Sequence, residues 1–152
     1  MNSKVNLVGT GALTVTQTSD TAFAGLLYGN GSLTKDGSSS LTLSAVAYHK
    51  GLTQINNGTL ALADGSIIGA VTIANTVGAT LDIDGNQVVI NTLTGYANST
   101  IDLGSDGTLV IYQLSNSDYE GSFNGNGTLD KRGDSTLGRL ASSIKSGRST
   151  IN

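Results

Sequence analysis

Residues 29–37 read G-N-G-S-L-T-K-D-G, and residues 125–133 read G-N-G-T-L-D-K-R-G. The two stretches lie 96 residues apart, and the likeness extends without a gap on both sides until residues 5–56 are paired with residues 101–152. Eighteen of these 52 pairs are identical, among them Leu7, Leu13, Gln17, Leu33, Lys35 and Leu41 with their partners 96 positions on. Six of the eighteen are glycines and a seventh is Asn30 of an Asn-Gly pair, residues that mark places where the backbone must turn. What repeats is a schedule of corners and of aliphatic positions between them.

A shorter beat runs inside the long one. Leu13 to Leu33, Leu41 to Leu60, Leu60 to Leu81, Leu81 to Ile101 and Leu109 to Leu129 are all steps close to 20 residues. Around each beat apolar and polar residues alternate, as in Leu13-Thr14-Val15, Leu60-Ala61-Leu62 and Leu81-Asp82-Ile83; this is the period of a strand with one face in and one out. A coil of about 20 residues cannot bury its own apolar row, so it must lie on the next coil about 4.8 Å away. The expected fold is all-β: a right-handed parallel β-helix, a solenoid of roughly six or seven turns and about 30 Å long by that spacing. Its inner rows are expected to be Leu, Ile and Val ladders. A left-handed β-helix calls for hexapeptide regularity and a calcium-binding roll for G-G-x-G-x-D nonapeptides, and neither pattern is present. A β-sandwich accommodates the strand count but not the 96-residue match.

Composition agrees. The chain holds 21 glycines and no proline, with 38% hydrophobic but only 5% aromatic residues, so its interior must be filled with small aliphatics. Residues 1–152 read as one segment with no linker inside it. The formal charge is −3 and the basic residues are scattered apart from Lys131 and Arg132; no basic face exists to neutralise phosphates, and nucleic acid is set aside as a partner. The absence of cysteine removes disulfides, thiolate chemistry and cysteine-based zinc sites. No apolar run approaches the roughly 20 residues that span a bilayer, so no membrane insertion by this segment is expected. Residues 1–9 also lack the apolar core of a signal peptide.

Residues 23–60, F-A-G-L-L-Y-G-N-G-S-L-T-K-D-G-S-S-S-L-T-L-S-A-V-A-Y-H-K-G-L-T-Q-I-N-N-G-T-L, resemble the passenger-associated transport repeat of bacterial autotransporters. The likeness lies in G-x-G-x-L-x-K-x-G, then L-T-L, then Tyr, Gly, Thr, Ile and G-T-L at set intervals. A second copy begins at Tyr119 and repeats the first half. Two departures stand out: Tyr48 lies three residues before Gly51 where the family usually has two, and Arg139 stands where the first copy has Leu43. The resemblance implies a right-handed β-helix carried to the outside of a Gram-negative cell by a C-terminal membrane barrel, in type V secretion, and thus a cell-surface or secreted location. The lack of a catalytic constellation and a low-charge, Thr/Ser/Asn-rich exterior point to a non-catalytic passenger scaffold, without a cofactor, acting in adhesion or self-association. Its partners would be a host surface or matrix component, a glycan, or another copy of itself. The alternative is a β-helix that binds carbohydrate or calcium, or acts on carbohydrate. By the repeat register Asn152 corresponds to Asn56, after which the first copy continues to Leu60; the chain is therefore expected to stop in mid-turn, a fragment of a longer rod with Met1 an added start. Such rods carry many activities, so the site must be argued from residues.

Asp82 and Asp84 point outward if Leu81 and Ile83 point in, and a 20-residue turn stacks Asp82 on Asp102. Stacked like charges repel and raise a carboxyl pKa unless a cation such as calcium, or sugar hydroxyls, sit between them. No Arg or Lys stands nearby as a catalytic partner, and Asp82-Ile83-Asp84-Gly85 equally reads as strand followed by turn. Arg132-Gly133-Asp134 spells a tripeptide that some adhesins present to integrins, yet Gly133 matches Gly37 of Lys35-Asp36-Gly37, so the repeat itself demands a basic residue and a glycine here and only Arg132 and Asp134 are incidental. Gly133-Asp134-Ser135-Thr136 resembles serine-hydrolase nucleophile motifs, whose hydroxyl needs a base. The lone His49 is expected to be a solvated turn residue beside Tyr48, and Ser135 simply matches Ser39. Asn-Gly pairs at Asn30, Asn57, Asn124 and Asn126 are tight-turn chemistry, and Gly29-Asn30-Gly31 is no phosphate cradle because no helix follows it. Tyr28, Tyr48, Tyr96, Tyr112 and Tyr119 offer rings to sugars if they face out and pack at corners if they do not. The binding candidates are Asp82, Asp84, Asp102, Arg132, Gly133 and Asp134, with no catalytic or metal residue among them.

Overall fold

A computed structural model of the chain describes residues 3–138 and 149–151. Within them the regular elements are strands, and no helix is long and apolar enough to cross a membrane. The strands pair in parallel and climb as a β-solenoid of about seven turns, each turn offering three faces. On the first face Lys4–Leu7, Leu26–Gly29 and Ala47–His49 lie one on another. Ala12–Thr16, Ser32–Asp36 and Thr53–Ile55 follow on the second. The third face is the most regular, stacking Thr21–Phe23, Leu41–Leu43, Thr59–Leu62, Thr80–Asp82, Thr100–Asp102 and Ser122–Asn124.

Two long strands, Ile67–Ile73 and Gln87–Gly95, run straight through the corner between the first and second faces. Residues 71–73 lie on Thr53–Ile55, while Ser66 Oγ accepts from the Ala47 amide at 3.1 Å, which sets the start of this turn on the first face. Beyond them the faces part again. Residues 87–90 carry Thr108–Ile111, then Thr128–Lys131 and Ser149–Ile151. Gly95 bridges Tyr119, placing Ser117–Asp118 and Leu137–Gly138 on the second face.

The 20-residue steps are register partners: Leu13 with Leu33, Leu41 with Leu60, Leu60 with Leu81, Leu81 with Ile101, and Leu109 with Leu129. They do not form one row, however. Leu33 belongs to the second face, Leu60 and Leu81 to the third, and Leu129 to the first. Each buried Leu or Ile in these rows contributes about 1.5–3 kcal/mol of hydrophobic stabilisation, and the rows share one continuous interior from Leu7 to Leu137. Two aromatic side chains close it near the C-terminal end: Tyr119 and Phe123 meet with ring centroids 4.8 Å apart, and the Tyr119 hydroxyl donates to the Ser122 carbonyl at 3.0 Å.

The long repeat is not a whole number of turns. Adding 96 carries Lys4–Leu7 of the first face to residues 100–103 on the third, and Ala12–Thr16 of the second face to residues 108–112 on the first. Thr21–Phe23 of the third face goes to residues 117–119 on the second. The second copy is thus rotated by one face, after four turns and two faces of a fifth. Arg139, one of the two departures from the family pattern, lies outside the described residues.

The corners show why the motif tolerates this rotation. Alternation along Leu33-Thr34-Lys35 turns Lys35 inward, where its Nζ donates to the carbonyls of Asp36, Gly37 and Asn57 at 2.9, 2.7 and 3.1 Å. Burial lowers its pKa, against the pull of Asp36 and Asp20. Lys131 does the same on another face, donating to the Gly133 carbonyl at 2.6 Å. Asp20 Oδ1 accepts from the Ser40 amide one turn above at 2.8 Å, and Asn116 Oδ1, its counterpart, accepts from the Thr136 amide at 2.8 Å.

Candidate functional sites on the outer faces

Asp82 and Asp102 are register partners on the third face, both half-buried, beneath the fully buried Leu81, Ile83 and Ile101. Each carboxylate closes its own turn: Asp82 Oδ1 accepts from the Asp84 amide and Asp102 Oδ1 from the Gly104 amide, both at 2.9 Å. Asp84 is exposed. With Asp64 and Asn86 it edges an open groove of about 730 Å³ whose floor includes Ala45, Ala61 and Ala63. Asp64 Oδ1 accepts from the Gln87 amide at 2.8 Å. Among the described residues no set of three or more His, Asp, Glu or Cys gathers as a metal site.

Arg132 and Asp134 are exposed, and Gly133 adopts φ +83°. The Arg132 guanidinium is held back on the first face by Asp130 Oδ2 at 2.6 and 2.9 Å and by the Tyr112 hydroxyl at 3.2 Å, and it lies 5.6 Å from the Tyr112 ring centroid. The hydrogen bonds to Asp130 and Tyr112 raise its pKa. In the tripeptide Arg132-Gly133-Asp134 the cation therefore already has an anionic partner, while the glycine serves the corner.

His49 corrects the expectation of a solvated turn residue. It is 1% exposed, because Ala47-Tyr48-His49 is a strand whose alternation sends Tyr48 out and His49 in. Its Nε2 lies 2.6 Å from Thr53 Oγ1, and its Nδ1 is buried without a partner. Burial pushes its pKa down to about 4. His49 lies on the third turn and Ser135 on the seventh, so the fold does not bring these two together as nucleophile and base.

The tyrosines divide by face. Tyr119 is fully buried, and burial pushes its hydroxyl pKa up; Tyr48, Tyr96 and Tyr112 are exposed. Around Tyr96 sequence reasoning missed a feature. On the second face Thr94 and Tyr96 of one turn and Asn116, Asp118 and Glu120 of the next line a recess of about 380 Å³. A second recess of similar size continues it to Thr136. A signal lay in the repeat, since Asp118 and Glu120 replace Ala22 and Ala24 of the first copy.

A parallel β-solenoid with an aliphatic interior and polar residues turned outward fits the passenger domain of an autotransporter. The chain is similar to the adhesin BmaC autotransporter of Brucella suis biovar 1 (strain 1330), with 33% identity over an alignment of 152 positions that covers 95% of this chain. The chain spans about 4% of the length of that relative. No protein-family model matches the chain, so the likeness to the transport repeat rests on the residues quoted above. No solved structure matches it.

Proposed function

We propose that the chain is a non-catalytic, adhesive segment of a surface-exposed autotransporter passenger in a Gram-negative bacterium. Its repeated outer faces would contact a host surface or matrix component, a glycan, or another copy of itself. The observation that carries this reading is similarity along 95% of the chain to a protein named as an adhesin. The division of labour in the fold supports it: inward positions hold the rod together and outward positions are free to vary. The test is adhesion of beads coated with the purified chain to epithelial cells and to matrix-coated surfaces, against beads coated with an unrelated β-solenoid of similar charge. Specific, saturable attachment supports the reading, and attachment equal to the control refutes it.

A second reading makes Asp82, Asp84 and Asp102 a calcium or glycan site, favoured by the in-register stacking of Asp82 on Asp102 and by the groove beside Asp84. A calcium titration followed by thermal unfolding addresses it. A Tm that rises with calcium in the native chain and not in Asp82→Ala supports this reading; an unchanged Tm in both rejects it.

A further inference from the structure

Two copies of one corner differ most usefully where they face solvent. Asp20 and Asn116 make the same clamp to the turn above, and Phe23 and Tyr119 both turn an aromatic ring inward. Between and beside them, the outward Ala22 and Ala24 of the first copy become Asp118 and Glu120 in the second. The change coincides with the recess on the second face. The Gly95–Tyr119 bridge sets Tyr96 beside Glu120 across neighbouring turns, and the Glu120 amide donates to the Gly95 carbonyl at 2.9 Å.

We propose that this recess is a saccharide-binding subsite, with Tyr96 as the stacking platform and Asn116, Asp118 and Glu120 as partners for ring hydroxyls. The proposal rests on the adhesive reading and names one ligand class for it. Tyr96 is 48% exposed, so its ring is open to the C–H face of a pyranose. The surrounding groups are those that hydroxyls need: carboxylates that accept, and an Asn116 side chain whose Oδ1 is taken by the Thr136 amide, leaving Nδ2 as donor. Each recess, at about 380 Å³, falls within the range of roughly 300–1,000 Å³ common to small-ligand sites. Among the described residues no Lys or Arg lines either recess, and their carboxylates favour neutral sugars over uronic or sialic acids. The larger groove beside Asp84 has carboxylates but no aromatic ring, and so lacks the platform.

The test is saturation-transfer NMR on the whole chain with methyl β-D-galactopyranoside, methyl α-D-mannopyranoside, N-acetylglucosamine and N-acetylneuraminic acid at millimolar concentration, with a lysine-rich peptide as competitor. At least one neutral sugar should receive saturation, and N-acetylneuraminic acid should not. Tyr96→Ala should weaken that binding roughly fivefold or more, as loss of an aromatic face contact does. The double variant Asp118→Ala, Glu120→Ala should abolish it while the chain still folds and unfolds cooperatively, because the first copy builds the same corner with alanines. Val8→Ala, an exposed position on the first turn and away from the recess, should bind as the native chain does. Saturation of none of the neutral sugars, preference for the sialic acid, binding that survives in both recess variants, or displacement of sugar by the basic peptide each overturns the proposal. Beads that adhere while no sugar binds would remove this subsite and leave the adhesive reading standing.

Discussion

Lys35 and Lys131 hold equivalent places in two copies of one repeat, yet they stand on different faces of the rod. Lys35 is fully buried and reaches three carbonyls, whereas Lys131 is 7% exposed and, among the described residues, bonds the Gly133 carbonyl. Gln17 and Gln113 show the same relation: each Nε2 donates to the carbonyl two residues on, Ser19 or Ser115, at 3.2 and 2.6 Å. The corner therefore combines local bonds with clamps to the turn above, and it is indifferent to the face it joins. Long strands at Ile67–Ile73 and Gln87–Gly95 absorb the rotation between the copies, since a strand that passes through a corner fixes no face boundary.

If the two corners share one design with different tightness, matched substitutions should rank them. Gly37 and Gly133 both adopt positive φ, +76° and +83°, but a Cβ on Gly37 would run into the Gln17 carbonyl while one on Gly133 would stop 3.0 Å from that of Gln113. Gly37→Ala should cost about 3–4 kcal/mol in urea denaturation, backbone strain plus overpacking, and Gly133→Ala about 1–2. Equal losses would break the comparison.

The first copy also carries an acid sensitivity that the second lacks, because the position of His49 is taken by Lys145 in the second copy. With its pKa at about 4 in the folded chain and near 6.5 when unfolded, His49 is neutral in the native state, and the unfolded chain takes up its proton first. Its stabilisation is complete above pH 6.5 and declines as pH falls toward 4, by on the order of 3 kcal/mol in all. Denaturation midpoints across that window should fall in the native chain and flatten in His49→Leu. A decline of the same size in the variant would assign the effect elsewhere.

Smaller contrasts sharpen the picture. Lys35→Met leaves three carbonyls without their donor and should cost about 2 kcal/mol, against about 1 for Lys131→Met. Asp20→Ala and Asn116→Ala each remove one clamp of equal length and should each cost about 1 kcal/mol. Chemical denaturation of the four variants would check both pairs, and a clear inequality in the second pair would show that face matters after all.

How far the fold was legible in the chain follows from the same physics. Alternation around Leu60 and Leu81 gave both strand and register, because the interior accepts only one parity, and the stacking of Asp82 on Asp102 followed from step length alone. The face of each step was hidden: Leu33 and Leu60 carry the same local signature but sit in different ladders, and a 20-residue interval does not say where a turn begins. His49 and Lys35 were misjudged or passed over for one reason. Polar residues at inward parity look like surface until their partners, Thr53 Oγ1 or the corner carbonyls, are known. The recess at Tyr96 joins residues some 20 positions apart whose meeting depends on the Gly95–Tyr119 bridge, which no local pattern announces.

The rotation of the second copy by one face is the claim on which the rest turns, and cysteine pairs test it cleanly because the chain has no cysteine. The stacking described here makes Asp82 and Asp102 neighbours on the third face. A repeat of whole turns would instead set Asp102, the counterpart of Asn6, on the first face over Val89. Under mild oxidation, Asp82→Cys with Asp102→Cys should form a disulfide and Val89→Cys with Asp102→Cys should stay reduced; the reverse outcome would contradict the rotated stack.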